Sequence, residues 1–232
     1  MTLVLFDIDG TLLRSGGSGR GAMAQAAGEL YGRFDMFDDL SFAGAVDSSI
    51  VAQALWMAGI LPTPRRVGRL RARYVRRLTR SLQQSTGELC AGVPEVVPMV
   101  RRSAEIGLLT GNWFAGAKAK LQAHGLWGHF DGCVGAYGGD ASMRNDLVPV
   151  AVHRARRRLG NIDRVVVIGD TPADVNCAKA GQAALKHLGV EVLSVAVETG
   201  FSRPEALRQA GPDLQLKDFV CGQQQLLELV CE

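Results

Sequence analysis

The feature that most constrains this chain is its opening, Leu3-Val4-Leu5-Phe6-Asp7-Ile8-Asp9-Gly10-Thr11-Leu12. An apolar run ends abruptly there in two carboxylates one residue apart, then a glycine and a hydroxyl. Such a run reads as a buried strand. Ionised carboxylates are costly to bury unless paired or bound to metal, so the acids belong at the strand's carboxyl end, where open α/β sheets place their ligands. Asp7 and Asp9 fall on one side if the strand continues, and Gly10 frees the backbone to leave the sheet sharply. Two acids held close, one as nucleophile and one as proton donor, suit covalent phosphoryl transfer with a divalent cation. Taken alone, the same residues also suit a surface turn after a strand.

Beyond this opening the chain changes character twice. Arg14-Ser15-Gly16-Gly17-Ser18-Gly19-Arg20-Gly21 reads as a flexible link, either a surface loop or a hinge beside the site. Residues 22–82 carry helical periodicity, with helices expected at 22–31, at 48–58 and from Arg65, after the breaks at Pro62 and Pro64. The third helix has one apolar stripe (Val67, Leu70, Tyr74, Val75, Leu78, Leu82), and its other faces are rich in arginine. That arginine face reads as a solvated surface or as a polyanion surface. No interleaved aromatics support base stacking, so nucleic acid is not an expected partner.

From residue 93 onward helices alternate with short strands at 106–110, 132–136, 164–170, 192–197 and 214–216. This alternation implies a parallel sheet with helices on both faces. The expected fold is α/β, a doubly wound parallel sheet with an inserted α-helical domain. The core is expected at 1–14 and 88–232 and the insertion at 15–87. Hydrophobic residues make up 47% of the chain, charged residues 21%, and the net charge is +3, which is ordinary for a soluble domain. Cys90, Cys133, Cys177, Cys221 and Cys231 form no C-x-x-C pair, which fits reduced thiols better than disulfides or a zinc site. Neither a signal peptide nor a membrane span is visible, so a cytoplasmic location is the default expectation. Oligomeric state is not legible.

Three strand ends carry polar groups that would converge. Asp7 and Asp9 form the first. Thr110-Gly111-Asn112 forms the second, either an anion nest or a helix N-cap. Gly169-Asp170-Thr171-Pro172-Ala173-Asp174 forms the third, in which Asp170 needs a partner and Asp174 is either helix-start electrostatics or part of the site. A hard cation such as Mg2+ takes oxygen ligands, and Asp7, Asp170 and the backbone carbonyl of Asp9 would supply them. Arg144, just before a helix, is placed to balance the charge of a phosphate among these acids.

These pieces resemble the haloacid dehalogenase superfamily. Asp7-Ile8-Asp9-Gly10-Thr11 matches its motif I, Leu108-Leu109-Thr110-Gly111-Asn112 its motif II, and Gly169-Asp170-Thr171-Pro172-Ala173-Asp174 its motif IV, so the resemblance covers residues 1–14 and about 90–218. The helical insertion is similar in place to the family's C1-type cap, as in its phosphoglycolate phosphatase-like members. The resemblance implies a Mg2+-dependent phosphomonoester hydrolase acting on a small phosphorylated substrate. Asp7 would be the nucleophile and Asp9 the acid and base. Thr110, Gly111, Asn112 and Arg144 would bind phosphate. Asp7, Asp9 and Asp170 would hold the metal, with Asp174 behind them.

Motif III is usually Lys, and Arg144 stands at the matching position. Lys118 or Lys120 are less suitably placed substitutes, in the helix after motif II. Asp9 argues against dehalogenation, and the absence of Lys from the insertion argues against phosphonate cleavage. A phosphoglucomutase-like transferase and a non-catalytic binding module remain as alternatives. Phe42-Ala43-Gly44-Ala45-Val46-Asp47 resembles the loop that C1 caps lower over substrate. Asp47 there either N-caps the helix at Ser48 or meets a substrate hydroxyl or cation.

Overall fold

The computed structural model describes residues 1–231. In chain order its elements are β1 (Thr2–Phe6), β2 (Leu13–Arg14), α1 (Ser18–Tyr31), α2 (Asp47–Met57), α3 (Pro64–Gln84), β3 (Glu88–Leu89), α4 (Val93–Ser103), β4 (Glu105–Leu109), α5 (Phe114–Ala123), α6 (Trp127–Phe130), β5 (Val134–Ala136), α7 (Leu147–Leu159), β6 (Arg164–Gly169), α8 (Pro172–Leu185), β7 (Glu191–Val197), α9 (Pro204–Ala210), β8 (Leu214–Leu216) and α10 (Gln223–Cys231).

Six strands form one sheet in the order β5-β4-β1-β6-β7-β8, and every pairing is parallel. β1 lies inside the sheet and is buried on both faces, which is why its sequence is continuously apolar rather than alternating. Its side chains still divide by the two-residue period of a strand. Val4 and Phe6 pack with Val97, Leu121 and Phe130 on one face. Leu3 and Leu5 pack with Val148, Val152 and Ala178 on the other. Register aligns Leu5 with Val167 and with Gly107, so the chain leaves β1, β4 and β6 at one edge of the sheet.

α1, α2 and α3 share a separate apolar core that includes Met23, Ala27, Val51, Leu55, Leu70 and Leu78. The predicted α3 stripe is the buried one, with Leu70, Tyr74, Leu78 and Leu82 inward. Thr63 caps α3 by accepting the Arg66 N–H at 3.3 Å, and Pro64 fits the first turn, where no N–H is needed. Of the outward arginines, Arg73 and Arg77 both pair with Glu29 of α1.

The segment expected to be a flexible link departs from that reading. Arg14 belongs to β2, which pairs antiparallel with β3, and α1 already begins at Ser18 after a left-handed Gly17 (φ 82°). The order comes from distant partners: Arg14 Nε donates to the Thr199 carbonyl at 2.8 Å, and Nη1 pairs with Glu88 at 3.1 Å. Local composition carries no trace of either, and the β2–β3 ribbon and α6 were equally invisible to periodicity. All five cysteines are free. Among the described residues no helix is long and apolar enough to cross a membrane.

Candidate active site

Asp7 follows β1 directly, and its N–H extends the ladder to Ile168 at 2.9 Å. The chain then turns back, with the N–H groups of Leu12 and Leu13 on the Ile8 carbonyl. Gly10 sits at φ 87°, a conformation that disfavours any side chain, and a Cβ there would collide with the Asp170 carboxylate. Asp170, at the end of β6, is 1% exposed. It accepts from Thr11 Oγ1 at 3.4 Å and from the Phe201 N–H at 3.3 Å. Nothing in the sequence singles out the loop that carries Phe201.

Arg144, in a single 3₁₀ turn before α7, is buried and ion-paired with Asp174; its Nη2 also lies 3.1 Å from Asp7 Oδ1. The other oxygen of Asp174 accepts from Thr171 N–H at 3.0 Å and Thr171 Oγ1 at 2.7 Å. This capping box starts α8, so Asp174 is at once helix cap and anchor for Arg144. Asp7 Oδ1, despite its closeness to Arg144, lacks a hydrogen bond of acceptable geometry. Burial pushes the carboxyl groups of Asp7 and Asp170 above the usual range, and Asp174 adds to both. The field of Asp7 and Asp174 holds the Arg144 charge firmly.

The second acid has different surroundings. Lys120 Nζ lies 2.8 and 2.5 Å from the two oxygens of Asp9 and donates to Asn112 Oδ1 at 2.7 Å. Asn112 Nδ2 in turn donates to Asp9 at 2.7 Å and to Thr110 Oγ1 at 2.9 Å. Burial works against the Asp9 charge, but Lys120, with hydrogen bonds from Asn112 and Ser15, overcomes it and holds this carboxyl below its usual range.

Here the sequence expectation needs correction. The helix after motif II does bring a lysine into the site, while Lys118 lies over the Trp127 ring at 5.1 Å. A signal was present, because Lys120 interrupts the buried face Ala117, Lys120, Leu121 of α5. Asn112, expected to bind phosphate, has its side chain committed to Asp9, Thr110 and Lys120.

Asp47 does not cap α2 through its side chain. That helix starts at Asp47, and its N-cap, Val46, offers no side-chain bond. Instead Asp47 Oδ2 accepts the Trp113 N–H at 2.8 Å, and its own N–H donates to the Gly111 carbonyl at 2.8 Å. Ser48 Oγ and Ser49 Oγ donate to the carbonyls of Gly138 and Ser142, each at 2.6 Å. A Cβ on Gly111 would strike the Ala45 carbonyl, so glycine is needed for this close approach. The result is a cavity of about 450 Å³ roofed by the helical segment, lined by Asp7, Asp9, Thr110, Gly111, Arg144 and Asp170 below and by Met23, Phe42, Asp47, Ile50 and Tyr74 above.

Oxygen atoms of Asp7, Asp170 and Asp174 lie within 4.8 Å of one another. Asp174 is already committed on both oxygens, which leaves Asp7 and Asp170, with the orphaned Asp7 Oδ1, as the natural cation ligands. This all-oxygen set suits a hard divalent ion. The Asp9 carboxylate is turned to Lys120, so only its backbone carbonyl is left for a metal.

A model of the haloacid dehalogenase-like hydrolase family matches residues 4–179. The chain is 28% identical over 222 residues to the protein named Probable phosphatase IndB of Dickeya dadantii, covering 94% of this chain and 90% of that one. It superposes on a hydrolase from Pseudomonas syringae with a TM-score of 0.68, at 20% identity and 99% coverage of both chains. It also superposes on CbbY from Rhodobacter sphaeroides in complex with phosphate, with a TM-score of 0.68, 20% identity and 94% coverage of both. At these identities the two structures establish a shared fold.

Proposed function

The chain belongs to the haloacid dehalogenase-like hydrolases, and on that premise we propose that it hydrolyses small phosphomonoesters through an aspartyl-phosphate on Asp7. The observation that carries this reading is the convergence of Asp7, Asp9, Thr110, Arg144 and Asp170 on one roofed cavity. The relatedness to a protein named as a phosphatase agrees with it.

A carboxylate oxygen of Asp7 attacks phosphorus and the ester oxygen leaves with a proton from Asp9. Water then attacks the acyl phosphate, gives its proton to Asp9, and releases inorganic phosphate and the free Asp7 carboxylate. The Lys120 ammonium touches both Asp9 oxygens and fixes that carboxyl group in position, so the proton Asp9 hands to the ester comes from solvent or from the incoming phosphate group. The Thr110 hydroxyl and the Gly111 N–H receive the phosphoryl oxygens. Arg144, 3.1 Å from Asp7 Oδ1, pulls that carboxyl toward its ionised form against its burial. Mg2+, held by Asp7, Asp170 and the Asp9 carbonyl, would neutralise phosphoryl charge and align the ester. Residues 1–14 and 88–232 form the catalytic core in this reading, and 15–87 form a C1-type cap that excludes water.

The test is hydrolysis of p-nitrophenyl phosphate with Mg2+ by wild type and by Asp7→Asn. Turnover in the wild type, abolished in the variant, is expected. Undiminished turnover in Asp7→Asn would remove the covalent mechanism.

A further inference from the structure

Past the phosphoryl site, the walls of the cavity are mostly apolar, formed by Met23, Phe42, Ile50 and the Tyr74 ring. One acid stands among them. Asp47 is 7% exposed. Its Oδ2 takes the Trp113 N–H, and no protein donor reaches Oδ1 among the described residues. The three cations lining the cavity are all engaged. Lys120 closes on Asp9 and Asn112. Arg144 closes on Asp7 and Asp174. Arg20 donates to the carbonyls of Phe37 and Leu40 and stacks on Phe42 at 4.3 Å from the ring centre.

From this arrangement we propose that the leaving alcohol carries no second negative charge, and that Asp47 makes this selection. The proposal rests on the phosphatase reading and deepens it. A carboxylate or second phosphate on the alcohol would enter an apolar recess beside a like charge with no free cation to meet it, and both effects are unfavourable. A hydroxyl or ammonium group on the alcohol would satisfy Asp47 Oδ1. Burial pushes the Asp47 carboxyl up to about 7, so its charge, and the selection it makes, is fully present only above that pH, and the esters are compared at about pH 8. About 450 Å³ is also roomier than a two-carbon alcohol needs.

Three aryl phosphates that differ only in a para methyl, aminomethyl or carboxymethyl group test the idea. With wild type, kcat/KM for the carboxymethyl ester is expected to fall below the other two by about ten- to a hundredfold, the scale of one partly buried like-charge contact. Asp47→Asn keeps an acceptor for the Trp113 N–H while removing the charge. It should raise the carboxymethyl ester by about tenfold relative to the methyl one, and lower the aminomethyl ester. Equal or better use of the carboxymethyl ester by wild type would overturn the proposal, as would unchanged ratios in a folded Asp47→Asn. If no ester were hydrolysed, p-nitrophenyl phosphate included, the phosphatase reading itself would fail. The order in which the three esters bind Asp7→Asn, measured by calorimetry, would then decide the selectivity separately.

Discussion

Lys120 Nζ contacts both carboxylate oxygens of Asp9, at 2.8 and 2.5 Å, from the last turn of α5, the helix that follows the Thr110-Gly111-Asn112 strand end. The two acids of the opening motif therefore sit in opposed fields. Asp7 is pushed up by burial, although Arg144 pulls it down. Asp9 is held down by Lys120. These protein groups by themselves favour the proton on Asp7 rather than on Asp9, and a divalent cation at Asp7 and Asp170 would reverse that by favouring the ionised Asp7 that a nucleophile requires.

Lys120→Met should slow turnover of alkyl phosphates far more than that of p-nitrophenyl phosphate, because the activated ester needs little proton donation. A purely structural role would lower both alike. Stability should fall by about 1–3 kcal/mol, discounted because Asp9 keeps some contact with solvent. Parallel kinetics on the two esters and a urea melt decide it.

Arg144→Lys restores a point charge in place of a planar fork and should retain measurable activity with a raised KM. Arg144→Ala leaves Asp7 and Asp174 buried without their counter-charge. It should abolish turnover and cost about 3–5 kcal/mol. An Arg144→Ala protein as stable and active as wild type would show that the ion pairs seen here are dispensable.

The carboxyl groups of Asp7 and Asp170 are raised in the folded state, burial being the main cause. Their folded forms bind protons more tightly than the unfolded chain does. The associated stability is thus complete below the ordinary carboxylate pKa of about 4 and is lost as pH rises above it. A divalent cation removes this penalty by binding the ionised forms. The increase in Tm caused by Mg2+ should therefore grow between pH 5 and pH 8. An increment that is flat across that range would mean these acids are not its ligands.

Gly10→Ala would place a methyl group against Asp170 at a φ that L-residues avoid. A loss of about 1–3 kcal/mol is expected from backbone strain alone, together with loss of Mg2+-dependent stabilisation. Thermal melts with and without Mg2+ separate the two effects.

How much could be read in advance differs from residue to residue. Asp170 was legible because a charged residue closing the apolar strand Val165-Val166-Val167-Ile168 has few structural uses. Arg144 was legible through its position relative to a helix start. Lys120 was visible only as a flaw in an otherwise buried helical face, and its direction depended on how α5 packs. Asp47 looks like an ordinary helix cap in the sequence, and the contact that redirects it comes from the Trp113 N–H, far along the chain.

The alternation of apolar strands with helices, and the placement of acids at strand ends, is written in the sequence, because burial periodicity and the cost of burying charge act locally along the chain. Which cation faces which acid is decided only by the tertiary structure. Arg144 meets Asp7, Lys120 meets Asp9, and the Arg14 contact with Thr199 orders a segment whose glycines suggest none. Those pairings join residues far apart in the chain, and their geometry exists only after the helical layer has closed over the edge of the sheet.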